Sequence, residues 1–232
     1  MSCLNSVKPL FNSCGQNWTV EMEYTHIIWD FNGTLFDDVD AGILSVNKML
    51  SDRGLRTLAS REEYREVFGF PIIEYYRRLG FDFEKEPYEV LAPIWVELYN
   101  ENSKHSKLAL GALDALAHFK EKGIPQILLS ATELDMLRGQ VAELGIEKYF
   151  DEIMGLSNIH AYSKKELAIN WCAENCNANP IFIGDSEHDF AVAEAVKAPC
   201  LLVTNGHQSR KRLEATSAAL CADLYDVIKM LE

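Results

Sequence analysis

The chain is short of positive charge: 22 Lys and Arg stand against 35 Asp and Glu, a formal net charge of −13. A body of that sign repels nucleic acid and anionic lipid, so neither is an expected partner, and any phosphate-handling site must be positive locally. Long apolar runs are also missing. No stretch approaches the ~18 apolar residues a membrane span needs, and the first turns of chain lack the apolar segment of a secretory leader. No membrane association and a cytoplasmic location are therefore expected. Cysteine is sparse, with six residues at 3, 14, 172, 176, 200 and 221 and none of the short-spaced pairs that hold zinc. Reduced, buried thiols are the expected state, with Cys172 and Cys176 on one face of a helix. What remains is a chain of 232 residues, 48% hydrophobic, long enough for one large domain or a core with a smaller companion.

Residues 1–22 read as an irregular, polar N-terminal extension, and Met22, directly before the first strand, is an alternative start of translation. From Thr25 the run THIIWD is apolar and ends in an acid, as a buried parallel strand would. The same grammar returns in QILLS (126–130), IFIGD (181–185) and CLLVT (200–204). Helix-compatible segments lie between them, such as 112–122 before Gly123 and 134–144 before Gly145. Alternating strand and helix predicts an α/β fold, a Rossmann-like parallel sheet with helices on both faces. Ligands of such sheets bind beyond the carboxyl ends of the strands, where Asp30, Ser130 and Asp185 fall.

Residues 37–107 read as helix throughout and form a small all-helical insertion after the first strand. The core is thereby divided into 23–36 and 108–232. A helix is predicted over 38–53 and another opens at a Ser60/Glu63 capping box. A third spans Pro71 to Gly80, and a fourth starts at Pro87 with a kink or break at Pro93.

Asp30-Phe31-Asn32-Gly33-Thr34-Leu35, directly after a buried strand, resembles the first motif of the haloacid dehalogenase-like hydrolase superfamily. Ser130 resembles its second motif, Lys164 in Tyr162-Ser163-Lys164-Lys165 its third, and Gly184-Asp185-Ser186-Glu187-His188-Asp189 its fourth. The likeness covers about residues 24–232 and is nearest to the phosphoglycolate phosphatase branch, whose members carry a helical cap and act on small phosphorylated metabolites. It implies a phosphatase in which Asp30 attacks phosphorus. A phosphate dianion repels a carboxylate, so a hard cation must stand between them, and magnesium is the expected cofactor. The resemblance implies Asp30, Asp185 and the Asn32 carbonyl as its ligands, with Asp189 orienting the lysine or a metal-bound water. Gly33, Thr34, Ser130, Ala131 and Lys164 would bind the phosphoryl group, Ser130 aided by backbone amides at a helix start. Either Lys164 or the adjacent Lys165 would turn inward. The expected state is a monomer or homodimer.

Asn32 departs from the family pattern, in which an acid at that place protonates the leaving oxygen and then activates water. An amide cannot shuttle a proton, and loss of a positioned acid/base costs ~10²–10⁴-fold in rate. Turnover is expected to be slow unless His188, His207 or water supplies the proton, or unless Asn32, preceding Gly33, deamidates. Within the insertion, Phe68-Gly69-Phe70-Pro71 is the loop expected to face the site, so Phe68 and Gly69 are candidate substrate contacts. Arg77 and Arg78 are candidates to bind a carboxylate, and Gly206-His207-Gln208-Ser209 lies at the same sheet edge. Other readings are a phosphometabolite-binding or regulatory protein with attenuated catalysis, and another hydrolase branch of the superfamily, such as phosphonate cleavage or carbon–halogen hydrolysis.

Overall fold

A computed structural model describes residues 24–156 and 163–232. The N-terminal extension, Met22 and Tyr162 lie outside the described residues. The elements are β1 (His26–Trp29), β2 (Phe36–Asp37), α1 (Val39–Asp52), α2 (Arg61–Val67), α3 (Ile72–Leu79), α4 (Tyr88–Ser103), β3 (Lys107–Leu108) and α5 (Ala112–Glu121). They continue with β4 (Gln126–Glu133), α6 (Leu134–Glu143), β5 (Glu152–Leu156), α7 (Lys164–Glu174), β6 (Pro180–Gly184), α8 (Glu187–Ala195), β7 (Cys200–Val203), α9 (Arg210–Leu213), β8 (Ala219–Cys221) and α10 (Leu224–Leu231).

Six strands form one sheet in the order β5-β4-β1-β6-β7-β8, every pair of neighbours parallel. Side chains alternate across it. Ile27 and Trp29 of β1 join one buried layer with Phe119 of α5, Leu137 of α6 and Val227 of α10, while Ile28 joins a second with Ala168 of α7 and Val192 of α8. Burial on both faces is why the strands read as unbroken apolar runs. Because β4 and β6 flank β1, residues 30 and 185, which follow β1 and β6, and residue 130, within β4, sit on three adjacent strands.

Helices α1–α4 enclose a separate core of Val46, Met49, Leu50, Tyr64, Tyr76 and Leu91. The chain enters and leaves this unit through a two-stranded antiparallel ribbon, Phe36–Asp37 against Lys107–Leu108, so residues 37 and 107 are ribbon rather than helix. Three further expectations are corrected. Helix α4 runs through Pro93 without the break that was one of the two expectations there, and the exposed position lets water satisfy the carbonyl that loses its partner. Glu63 reaches back to the Ala59 amide, not that of Ser60, although Ser60 does cap α2. Helix α7 ends at Glu174, so Cys172 is half-buried on the helix while Cys176 is exposed beyond it. Among the described residues no helix is long and apolar enough to cross a membrane.

Candidate active site

Asp30 leaves β1 with both carboxylate oxygens held: Oδ1 accepts from Lys164 Nζ, and Oδ2 accepts from Thr34 Oγ1 at 2.8 Å. Lys164 opens α7, where Ser163 and Glu166 form a capping box that fixes the first turn. The lysine is 4% exposed and lies between Asp30 and Asp189, while Lys165 faces solvent; Lys164 is therefore the inward residue. Asp189 is fully engaged. One oxygen pairs with Lys164, and the other accepts from the Asp185 and Ser186 amides and the Ser186 hydroxyl, the last at 2.6 Å.

Asp185 follows β6 and packs against two glycines. A Cβ at Gly33, where φ is +76°, would lie 2.3 Å from Asp185 Oδ2, and one at Gly206 would lie 2.2 Å from it. Both backbones therefore approach as only glycine allows. Asp185 Oδ2 accepts the His207 amide, yet among the described residues no lysine or arginine pairs with this carboxylate. Oxygen atoms of Asp30, Asp185 and Asp189 all lie within 4.8 Å of one another. Burial and the neighbouring Asp189 push Asp30 up to about 6, against the pull of Lys164. Burial also pushes Asp185 well above the usual carboxylate range, opposed by His207 and reinforced by Asp30 and Asp189. One lysine does not neutralise three buried carboxylates, and the surplus negative charge with its oxygen donors fits a hard divalent cation.

Ser130 is buried at β4, where its Oγ accepts the Thr132 amide at 3.0 Å and donates to Asn32 Oδ1 at 3.4 Å. The amides expected at a helix start are not there: 131–133 continue β4 with a register shift, and α6 begins only at Leu134. Ala131 thus sits on strand.

Around Asn32 lies a network the sequence did not reveal. Its Nδ2 donates to Asp38 Oδ2 at 2.9 Å and to Tyr99 Oη at 2.8 Å, and its Oδ1 accepts Thr132 Oγ1 at 2.7 Å. Asp38, 1% exposed, also accepts the Gly33 amide at 2.9 Å and Tyr99 Oη at 2.6 Å, and lies 3.0 Å from His207 Nε2. His207 Nδ1 lies 2.8 Å from Tyr64 Oη. Burial alone would lower His207, but Asp38 beside it wins and raises it to about 9; burial correspondingly opposes, and His207 enforces, a lowered Asp38 carboxyl.

A family profile described as haloacid dehalogenase-like hydrolase matches residues 27–203. The chain belongs to the haloacid dehalogenase-like hydrolases. Relatives of this hydrolase include phosphoglycolate phosphatase 1 of Pseudomonas aeruginosa, 23% identical over 85% of this chain and 75% of its own. The phosphoglycolate phosphatase of Photobacterium profundum is 23% identical over 88% and 95%. Among solved structures, a haloacid dehalogenase-like family hydrolase from Streptococcus pneumoniae superposes with a TM-score of 0.77 at 18% identity, over 90% of this chain and 99% of that one. CbbY from Rhodobacter sphaeroides, solved with xylulose-1,5-bisphosphate, gives 0.65 at 21% over 90% and 100%.

The four motifs of this hydrolase converge at one sheet edge, as their order predicted. The residues of the helical unit do not all join them. Phe68 stacks near the His207 ring, with centroids 5.0 Å apart, and its carbonyl accepts from Arg212. Gly69 lies against the Arg212 guanidinium, and Phe70 stacks on His188 at 4.4 Å. Arg77 pairs with Glu74, and Arg78 donates to the Val67 carbonyl and lies beside Gly69. Asp38, Tyr64, Tyr99 and Thr132 went unread. Asp38 stands where an acid ordinarily caps a helix, but its side chain makes no cap bond and turns to the site instead.

Proposed function

We propose that this hydrolase is a magnesium-dependent phosphatase acting on small phosphomonoesters through an aspartyl-phosphate on Asp30. The observation that carries the reading is the convergence of Asp30, Lys164 and Asp185 in one buried, net-negative cluster, with the Ser130 hydroxyl at the neighbouring strand. The relatives named phosphoglycolate phosphatase support the reaction class.

A carboxylate oxygen of Asp30 attacks phosphorus in line, the ester P–O bond breaks, and the leaving oxygen takes a proton from water. Water then attacks phosphorus, the Asp30 carboxylate departs, and inorganic phosphate is released. Lys164 and the Ser130 hydroxyl face the phosphoryl oxygens as fixed donors. Magnesium, held by Asp30, Asp185 and the Asn32 carbonyl, would offset the charge of the incoming phosphate. Asp189 pairs with Lys164 through one oxygen and with the Ser186 hydroxyl through the other, and so orients the lysine. Helices α1–α4, residues 37–107 with the ribbon, act as the cap that shields the reaction from bulk water.

Asn32 supplies no proton. Its amide hydrogens go to Asp38 and Tyr99, so only its acceptor oxygen turns toward Ser130 and Thr132. This favours a second reading, a phosphometabolite-binding protein with attenuated turnover. A panel of phosphomonoesters with magnesium, run beside Asp30→Asn, tests both. Release abolished by Asp30→Asn supports the phosphatase, whereas binding without release by the unmutated protein selects the second reading. An equal rate in Asp30→Asn would refute the mechanism.

A further inference from the structure

A phosphatase of the phosphoglycolate type must neutralise a second negative charge, the carboxylate of the leaving group, and the cation for it has to come from the cap or the adjoining rim. Residues 39–103 contain eight Lys and Arg against twelve Asp and Glu. Every one of the eight has a partner. Six, from Lys48 to Lys85, pair with carboxylates of the same helical unit. The other two hold main-chain carbonyls: Arg65 those of Gly206 and Asn205, at 2.8 and 2.5 Å, and Arg78 that of Val67. On the core side of the crevice Arg212 is closed off likewise, by Glu187 and by the Phe68 carbonyl.

The crevice between the two units is instead mostly apolar, with Glu187, His188 and Gln208 as its polar residues. A cavity of about 660 Å³ lies between Phe70, Ile72, Ile73 and Tyr88 of the helical unit and His188 and Ala191 of α8. Its Glu187 and His188 come from the first turn of α8, the turn that also carries Asp189. Phe70 is 40% exposed and stacks on His188, presenting aromatic surface to that space. A carboxylate entering it would lose its water without gaining a cation, beside a unit of net charge −4, whereas an apolar group is favoured.

From this lining, which holds no lysine or arginine, and from the pairing of six of the eight cations of residues 39–103 with carboxylates, we infer that the substrate's leaving group is an uncharged alcohol carrying an aromatic or branched apolar portion, seated between Phe70, Ile73 and His188, rather than a hydroxy acid. This rests on the phosphatase reading above and narrows its substrate class.

Benzyl phosphate and 2-phosphoglycolate both release alkyl alcohols and differ in the feature at issue, so their kcat/KM values with magnesium form the comparison. Benzyl phosphate is expected to be preferred about tenfold or more, the scale on which a hydrophobic pocket discriminates. Phe70→Ala should raise KM for benzyl phosphate more than for 2-phosphoglycolate and so lower their kcat/KM ratio, and Ile73→Arg should shift the preference toward 2-phosphoglycolate. Preference for 2-phosphoglycolate in the unmutated protein, or a ratio unmoved by both variants, overturns the inference while leaving the phosphatase standing. If neither ester is hydrolysed, calorimetric binding to the full chain decides. Tighter binding of benzyl phosphate upholds the leaving-group assignment without the activity; equal or weaker binding, or none, overturns it.

Discussion

Replacing Asn32 with Asp restores the acid of the family pattern, but the structure predicts more than restored activity. The new carboxylate oxygen would face Asp38 Oδ2 across the 2.9 Å now spanned by an N–H···O bond. Two unit charges at that separation repel by about 6 kcal/mol at an effective dielectric constant of ~20, or roughly 4 pKa units. His207, 3.0 Å from the other Asp38 oxygen, already draws charge from that carboxylate and offsets part of the repulsion. A net rise of ~2–3 units is expected, so the pair keeps one proton up to near-neutral pH, whichever carboxyl bears it. The folded state of the variant then binds more protons than the unfolded chain. Below pH ~4 both states are protonated and nothing is lost; as pH rises the variant falls behind the parent by about 1.4 kcal/mol per unit, reaching ~3–4 kcal/mol and levelling off above the folded pKa. Urea denaturation of both proteins in EDTA, from pH 4.5 to 8, measures this directly. With the shared proton on residue 32 that carboxyl is a general acid, so turnover should rise by ~10²-fold at pH 6 and decline toward pH 8. Parallel stability curves for variant and parent at all pH values would refute the reasoning about this pair.

His207, held at about 9 by Asp38, contributes stability that is complete below its unfolded value near 6.5 and is lost as pH climbs through 9; His207→Gln should remove that slope from denaturation curves taken between pH 6 and 10. Magnesium at ~100 times its dissociation constant should stabilise the protein by about 2.7 kcal/mol in calorimetric melting, and Asp185→Asn should abolish the gain. Lys164→Met leaves two buried carboxylates without their cation and should cost ~3–5 kcal/mol as well as activity, whereas Lys165→Met, at an exposed site, should lie within ~0.5 kcal/mol of the parent.

The parallel sheet and the strand-end acids were legible because a strand buried on both faces has to be an apolar run, and because the residue ending it has to be polar to face the crevice. Strands β5 and β8 were not legible. EIMGL is a half-buried edge and ALC only three residues, so neither carries the burial that makes a run stand out. Asp30 and Asp185 could be placed from the motif order, and the inward lysine narrowed to Lys164 or Lys165, but Asp38 could not be placed. An acid before a helix has an ordinary local explanation, and only the fold brings Tyr99 and His207, 61 and 169 residues away, onto its carboxylate. Loop 68–71, expected to face the site, lies against His188, His207 and Arg212, while the partners of Arg77 and Arg78 were not legible, because pairing within a helical unit depends on which faces meet. Ser130 was placed, but its helix-start amides were not, since the irregularity that prolongs β4 past it has no sequence signature.

Asp38 stands at the first turn of the helical unit while gripping the turn that carries Asn32 and Gly33. Tyr99 of α4 bonds the Asp38 carboxylate and Asn32 as well, so a substitution on α4 that displaces Tyr99 is expected to register as altered turnover sooner than as altered affinity.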